Sequence, residues 1–205
     1  MFNNKYGNFI YHKRRALSQE GCGYAIKFLE KRLVGKNGTY PVDRRDDPVK
    51  KCVELFVKRN QYTFFEDVIQ SAMREYGERY ILPCFVAKFD ISSILKIQKY
   101  NPGEAYYHIH CENDGSGCSE EKRRILVWMI YLNDVTEGGH TAFPAQNKKF
   151  QPRAGDLLMW PAYFTHPHHG IVSKTQTKYI ATGWCCFEET HNEDHYLKYL
   201  SSTFN

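Results

Sequence analysis

The pattern of apolar and polar positions divides the chain near residue 83. Before that point, apolar residues recur at helical spacing. Ser18 can cap a helix that runs to Leu33, and further helices are predicted over Val49–Lys58 and Glu66–Tyr80. Their apolar faces are typical of packing surfaces, so we assign them no chemistry. This part of the chain is predicted to be helical and to support the rest of the fold by packing.

From Phe85 onward the pattern changes to short runs rich in β-branched and aromatic residues. The runs are FVAKF, LKIQKY, AYYHIH, ILVWMIYL, GDLLMW and KYIATGWCCF, separated by the turn signals NPG, NDGSG, EGG and PRAG. Strands at this spacing predict a β-sandwich or barrel with the helices packed on one outer face. We expect a single domain over residues 1–205, with a helical region (1–82), a strand-rich core that carries the site (83–190) and a C-terminal tail (191–205).

Composition narrows the function classes. Hydrophobic residues make up 42% of the 205 residues and aromatic residues 15%, which is enough for a buried core. A formal net charge of +5, spread over short mixed runs, does not indicate nucleic-acid binding. Seven cysteines without CxxC spacing, and an amino terminus without the apolar run of a signal peptide, indicate free thiols in a reducing, cytoplasmic compartment. No run approaches the ~20 apolar residues of a membrane span.

Candidate metal ligands concentrate in the segment AYYHIHCENDG, residues 105–115. If this segment is a strand, His108, His110 and Glu112 share one face. A metal could then take His108 with His110, or His110 with Glu112, and spacing alone leaves both pairs open. A polar strand end with hydrogen-bonded histidines and no metal fits the same local pattern.

A second histidine cluster follows in WPAYFTHPHHGIV, which contains His166, His168 and His169. A His-x-carboxylate pair and one distant histidine on a neighbouring strand make the 2-His-1-carboxylate site, which leaves positions open on Fe(II). Enzymes with such a site that use 2-oxoglutarate also hold its far carboxylate with a buried cation. Lys178 begins an otherwise apolar strand, although a strand-end lysine that reaches solvent fits that position too.

Five segments, YNPGEAYYHIHCE, IYLNDVTEGGHTAFP, PRAGDLLMW, HHG and KYIATGW, follow one another over Tyr100–Phe187. In order and spacing they resemble the Fe(II)- and 2-oxoglutarate-dependent dioxygenases, and most closely the prolyl 4-hydroxylase-like branch that includes small bacterial and phage proteins. The resemblance implies an α+β fold: a double-stranded β-helix (jelly-roll) core with the N-terminal helices packed on one face.

The resemblance also assigns roles to particular residues. His110 and Glu112 match the first metal histidine and the metal carboxylate. His168 matches the distal histidine because x-Gly follows it and Lys178 lies ten residues later, 178 minus 168. The residues implied to bind 2-oxoglutarate are Lys178, Tyr131, Thr182, Tyr100 and Trp184.

One position departs from the family pattern. The family usually has Asp where this chain has Glu112, so the ligand keeps its anionic oxygen but gains one methylene. Asp114 is an alternative ligand of lower rank, because the turn NDGSG is expected to point it to solvent.

The implied reaction is hydroxylation of a substrate C–H bond with Fe(II), 2-oxoglutarate and O2, and with ascorbate as the reductant of oxidised iron. The implied substrate is a prolyl residue of a peptide or protein, with no nucleic-acid or membrane partner. A free amino acid or another small metabolite stays open as the substrate. The alternative from a different class is a non-enzymatic jelly-roll module with a binding or structural metal, such as zinc. The oligomeric state is left open.

Overall fold

The computed structural model describes residues 8–34, 42–80 and 88–188. Within these ranges the chain forms ten strands and three α-helices, with short 3-10 helices at Arg59–Gln61 and Pro144–Gln146. In chain order the elements are β1 (Tyr11–Lys13), α1 (Gln19–Val34), β2 (Val42–Asp46), β3 (Lys51–Lys58), α2 (Thr63–Tyr80), β4 (Phe89–Tyr100), α3 (Ser119–Lys122), β5 (Arg124–Tyr131), β6 (Thr141–Phe143), β7 (Lys148–Phe150), β8 (Leu157–Pro161), β9 (His169–Gly170) and β10 (Lys178–Phe187).

The strands form two antiparallel sheets. The larger sheet has the strand order β1-β8-β5-β10-β4-β3-β2, and the smaller one has the order β7-β6-β9. The sheets contact each other where the ring of Phe143 packs edge-on to Trp160, with ring centroids 5.2 Å apart. The hydroxyl of Tyr131 in the larger sheet also donates to Thr141 in the smaller one, at 2.8 Å. This is the two-sheet antiparallel architecture that the sequence predicts.

Strand β5 shows how both faces of the larger sheet become buried. Alternate side chains of the strand enter two separate apolar clusters. Leu126, Trp128 and Ile130 pack with the helices on the outer face. Val127, Met129 and Tyr131 belong to the cluster on the inner face, toward the smaller sheet. The continuous apolar run ILVWMIY therefore reflects a strand that is covered on both sides.

Helices α1 and α2 cover the outer face, as predicted. Ser18 caps α1, since its Oγ accepts a hydrogen bond from the backbone N–H of Gly21 at 3.1 Å. Helix α2 begins at Thr63, three residues before the predicted start, and its Phe65 ring lies 6.4 Å from the ring of Trp128 in the sheet. Both helices are therefore held by apolar packing against the sheet.

The helix predicted over Val49–Lys58 is wrong, because Lys51–Lys58 forms strand β3 between β2 and β4. Its apolar residues serve two faces: Cys52 packs on the inner face, and Leu55 and Val57 pack on the outer face. The region 1–82 is accordingly not purely helical, since it supplies β1, β2 and β3 to the larger sheet.

The segment AYYHIH does not form the predicted continuous strand. It pairs only at isolated positions, Tyr106 with Lys50 and His110 with His168. Of FVAKF, residues 85–87 lie outside the described residues, and Phe89 begins β4.

The predicted tail 191–205 also lies outside the described residues, and the single-domain division stays a prediction. No helix in the described ranges is long and apolar enough to cross a membrane. The six cysteines within these ranges are free thiols, as expected.

Candidate metal centre

An isolated antiparallel bridge brings His110 and His168 side by side. The backbone N–H of His110 donates to the carbonyl of His168 at 3.0 Å, and the N–H of His168 donates to the carbonyl of His110 at 2.9 Å. The two imidazole rings lie with their centroids 4.3 Å apart. Two histidines that are distant in sequence thus become nearest neighbours through two backbone hydrogen bonds.

Both imidazole rings are oriented through their Nδ1 atoms. Nδ1 of His110 lies 3.0 Å from the carbonyl oxygen of His108, and Nδ1 of His168 lies 3.1 Å from that of His166. A ring nitrogen that faces a carbonyl carries the proton, so each Nε2 is left with the lone pair that binds a metal. Residues His108 and His166 therefore contribute backbone carbonyls to the site.

The side chains of the other candidate histidines point elsewhere or lie at the edge of the site. His108 is exposed. The ring of His166 is buried, with its Nε2 2.8 Å from the carbonyl of Asn8. His169 lines a cavity that opens beside the candidate metal ligands. Asp114 accepts hydrogen bonds from Ser116 in an exposed turn, as the NDGSG sequence predicts.

Glu112 completes the group of candidate ligands. Its Oε1 lies 3.3 Å from Nε2 of His110 and 3.7 Å from Nε2 of His168. One ligand atom from each of the three residues lies within 4.8 Å of the others. Two imidazole nitrogens and one carboxylate oxygen are the donors that a non-haem Fe(II) site uses, so the residues present fit this metal.

The protonation states of Glu112 and His168 also suit a metal site. Burial alone would raise the pKa of Glu112, but interactions with the adjacent imidazoles of His110 and His168 hold that pKa well below its usual value. Burial lowers the pKa of His168 and so favours its neutral ring. An ionised carboxylate beside a neutral imidazole is the state that binds a metal ion.

The longer side chain of Glu112 is held at its second oxygen. The indole Nε1 of Trp184 donates to Oε2 of Glu112 at 2.9 Å. Arg124 supports this contact, because its guanidinium carbon lies 3.7 Å from the centroid of the Trp184 ring and its Nη1 lies 3.8 Å from the same carboxylate oxygen. Oε2 thus points to the indole while Oε1 faces the histidines. The sequence indicates Trp184 as a pocket-lining aromatic residue, but this hydrogen bond could not be read from it.

A cavity of about 280 Å³ opens beside these ligands, between the two sheets. Lys178 lies on its wall and is only 5% exposed, which excludes the alternative of a lysine that reaches solvent. Its Nζ donates to the carbonyl of Gly139 at 3.1 Å and lies 4.8 Å from the centroid of the Tyr100 ring. Burial lowers the pKa of Lys178 to about 8. Among the described residues no carboxylate pairs with this ammonium, so the site can accept an anion such as the far carboxylate of 2-oxoglutarate.

The other residues predicted to bind 2-oxoglutarate lie on or behind the same wall. Tyr100 and Thr182 line the cavity, and their hydroxyls donate to Gln98 Oε1 at 2.9 Å and to the carbonyl of Trp128 at 2.8 Å. The fully buried Tyr131 lies behind the wall, with its hydroxyl bonded to Thr141.

Thr141 itself lines the cavity, so Tyr131 acts through that threonine hydroxyl. Neither the role of Thr141 nor the stacking of the Tyr106 ring on His110, at a centroid distance of 3.5 Å, is indicated by the sequence. Both contacts depend on residues that meet only after the strands have paired.

A jelly-roll architecture with two histidines, one carboxylate and a buried lysine around one cavity is typical of the non-haem Fe(II) oxygenases that use 2-oxoglutarate. Comparison with known proteins agrees. Residues 95–186 match the family model described as the 2OG-Fe(II) oxygenase superfamily.

Similar proteins are named as prolyl 4-hydroxylases. The chain is 35% identical over 153 residues to a protein of Acanthamoeba polyphaga mimivirus named as a prolyl 4-hydroxylase, an alignment that covers 68% of this chain and 59% of the relative. It is 25% identical over 205 residues to Probable prolyl 4-hydroxylase 3 of Arabidopsis thaliana, covering 86% of this chain and 68% of that one. The chain thus spans about three fifths of the length of the mimivirus protein.

A solved structure with a similar fold is the viral collagen prolyl hydroxylase of Paramecium bursaria Chlorella virus-1 in its 2OG complex. The TM-score is 0.69 at 21% sequence identity, and the match covers 90% of this chain and 99% of the other. This similarity confirms the predicted double-stranded β-helix.

Proposed function

We propose that this protein is an Fe(II)- and 2-oxoglutarate-dependent dioxygenase that hydroxylates prolyl residues of a peptide or protein. One observation carries the reaction class: His110 and Glu112 from one segment and His168 from another meet at a cavity whose wall also holds Lys178. Lys178 is buried, and no carboxylate among the described residues pairs with its ammonium. The substrate class is supported by the names of the relatives. A structural neighbour from Trichoplax adhaerens is a prolyl hydroxylase in complex with a peptide fragment.

Different side chains of this protein would bind each of the two cofactors. Nε2 of His110, Oε1 of Glu112 and Nε2 of His168 would hold Fe(II), and Nζ of Lys178 would hold the far carboxylate of 2-oxoglutarate. With O2, these cofactors supply the oxidising power for C–H hydroxylation, and succinate and carbon dioxide are the co-products. Ascorbate is the proposed reductant of iron that becomes oxidised without product formation.

The protein's own contribution is to orient the groups that would hold the metal. The backbone carbonyls behind the two imidazoles fix their tautomers, and Trp184 fixes the direction of the Glu112 carboxylate. Met129, Ile180 and Trp160 place apolar groups on one part of the cavity wall, beside its charged and polar lining.

The test measures succinate formed from 2-oxoglutarate with Fe(II) and ascorbate, and the gain of one oxygen atom in a library of proline-containing peptides by mass spectrometry. The wild type should give both products, and His168→Ala should give neither. The matched control is His108→Ala, which removes an exposed imidazole two residues from His110 but keeps the carbonyl that orients it.

Other outcomes separate the alternatives. Oxygen gain by free proline or another small metabolite, with none in any peptide, would replace the peptide substrate by a small molecule. Metal bound in the wild type without any succinate would contradict the enzyme and favour a non-enzymatic metal-binding module.

A further inference from the structure

A second group of cations lies in the cavity, away from Lys178. Lys50 and Lys96 both line the cavity and flank Glu54, whose side chain is completely buried. Nζ of Lys50 donates to Oε1 of Glu54, and Nζ of Lys96 lies 3.6 Å from Oε2. Gln98 donates to Oε1 as well, at 2.6 Å. Because one carboxylate neutralises one of the two lysines, this group keeps one positive charge in excess.

Lys96 carries that excess charge. Its distance to Glu54 is too long for a hydrogen bond, and its other close partners are the rings of Phe56 at 4.9 Å and Trp184 at 5.5 Å. Within the described residues its ammonium makes no hydrogen bond, although the side chain is only 18% exposed. Because Lys96 lines the cavity and its ammonium keeps unused N–H donors, a ligand oxygen in the cavity can accept a hydrogen bond from it.

Other charged groups close by are already paired. The guanidinium of Arg45 is 3.4 Å from Asp43, although it also lies 4.0 Å from Glu54. Glu112 interacts with Lys96 through space, but its oxygens are occupied by the histidines and by Trp184. Among the described residues the closest carboxylate to Lys96 is therefore Glu54, and Lys96 shares it with the hydrogen-bonded Lys50.

The position of Lys96 separates it from the proposed 2-oxoglutarate site. In the pairing of β4 with β10, Lys178 lies opposite Tyr100, while Lys96 lies opposite Thr182. Four residues along a strand are about 13 Å. The two ammonium groups also have different neighbours, since Lys96 lies beside Trp184 and Glu54 whereas Lys178 lies beside Tyr100 and Gly139. Trp184 in turn contacts the candidate metal ligand Glu112.

We propose that Lys96 binds a carboxylate group of the substrate. This specificity determinant rests on the proposed function and deepens it. One surplus positive charge in the cavity wall matches one negative charge on the substrate, and the ammonium supplies up to three N–H donors to it. The carboxylate can belong to an acidic side chain near the hydroxylated residue, or it can be the α-carboxylate of a chain end or a free amino acid.

Binding of small probes tests this proposal without turnover. The protein is loaded with Mn(II) and saturated with 2-oxoglutarate in the absence of O2, and affinity is measured by calorimetry. The first pair of probes is the peptide Ala-Glu-Pro-Glu-Ala, capped at both ends, and its twin with Gln in place of Glu. The second pair is free proline and prolinamide. In at least one pair the carboxylate probe should bind about tenfold or more tightly, and the pair that responds identifies the source of the carboxylate.

Variants at two lysines of β4 locate the effect. Lys96→Met removes the ammonium, keeps most of the stem and leaves Lys50 to neutralise Glu54, so the preference for the carboxylate probe should disappear. Lys96→Arg should retain it. Lys99→Met is the matched control, because Lys99 lies on the same strand outside the cavity and pairs with Glu30 at 2.8 Å. In turnover assays the loss in Lys96→Met should appear mainly in KM.

Equal binding of both members of each pair by the wild type would overturn the proposal, as would a preference that survives in Lys96→Met. These outcomes are distinct from failure of the proposed function. The binding comparison needs no chemistry, whereas the proposed function fails if the wild type makes no succinate from 2-oxoglutarate.

Discussion

Replacing Lys178 by Met should stabilise the fold and remove the ammonium proposed to bind 2-oxoglutarate. Burial lowers the pKa of this lysine from the usual 10.5 to about 8, which corresponds to a cost of about 3 kcal/mol for holding the charge in the apoprotein. Below pH 8 the lysine is charged in both the folded and the unfolded chain, so the whole cost is present at pH 7. The cost is relieved as the pH rises from 8 toward 10.5 and the folded lysine loses its proton.

Lys178→Met removes this cost but loses the hydrogen bond to Gly139 and the contact with Tyr100. We expect the apoprotein to gain about 1–3 kcal/mol in free energy of unfolding at pH 7, measured by denaturant titration. Removal of one partner of a buried charge pair costs about 2–5 kcal/mol of binding, so the Kd for 2-oxoglutarate should rise by roughly 30-fold to several thousand-fold in calorimetry. Iron binding should be retained. Loss of iron, or unchanged affinity for 2-oxoglutarate, would refute this role of the lysine.

Three further predictions follow from the contacts of the site. In the wild type, the Kd for 2-oxoglutarate should rise about tenfold between pH 7 and pH 9 as Lys178 deprotonates, and a titration with no such change would contradict its assignment. Trp184→Phe removes the hydrogen bond to Glu112 and should weaken Fe(II) binding by about 10- to 100-fold, measured by competition with a chelating dye. His166→Ala should retain stoichiometric iron by elemental analysis, because that residue contributes its carbonyl, whereas His168→Ala should lose it.

Secondary structure is predicted best from the sequence where the composition of a single segment already favours a strand. KYIATGWCCF forms β10 at its exact bounds, because its β-branched and aromatic residues suit a buried strand wherever it pairs. The segment Val49–Lys58 is less certain from sequence, because its closely spaced apolar residues fit the helical period as well as the two-residue period of a strand. Its strand conformation is decided by pairing with β2 and β4, and the second of these partners follows about forty residues later.

The same limit applies to the site. The resemblance to a known family leads to His110, Glu112, His168 and Lys178, which the structure places around one cavity. The hydrogen bonds that orient the candidate metal ligands cannot be predicted from the pattern of residues in any one segment. The indole that holds Oε2 of Glu112 comes from β10, at the other end of the matched region.

The lysine pair around Glu54 likewise needs β3 and β4 to lie side by side, with Phe56 opposite Lys96. Such contacts arise from strand order, and strand order is set by packing of the whole sheet rather than by the sequence of one segment.

The most direct test of the central claim is the visible absorption spectrum of the Fe(II)-loaded protein without O2, titrated with 2-oxoglutarate. We predict an absorption band that depends on 2-oxoglutarate and saturates at one iron per chain, that is absent in His168→Ala and that is unchanged in His108→Ala. A wild type that shows no such band, or a band that persists in His168→Ala, would contradict the assignment of His110, Glu112 and His168 as the iron site.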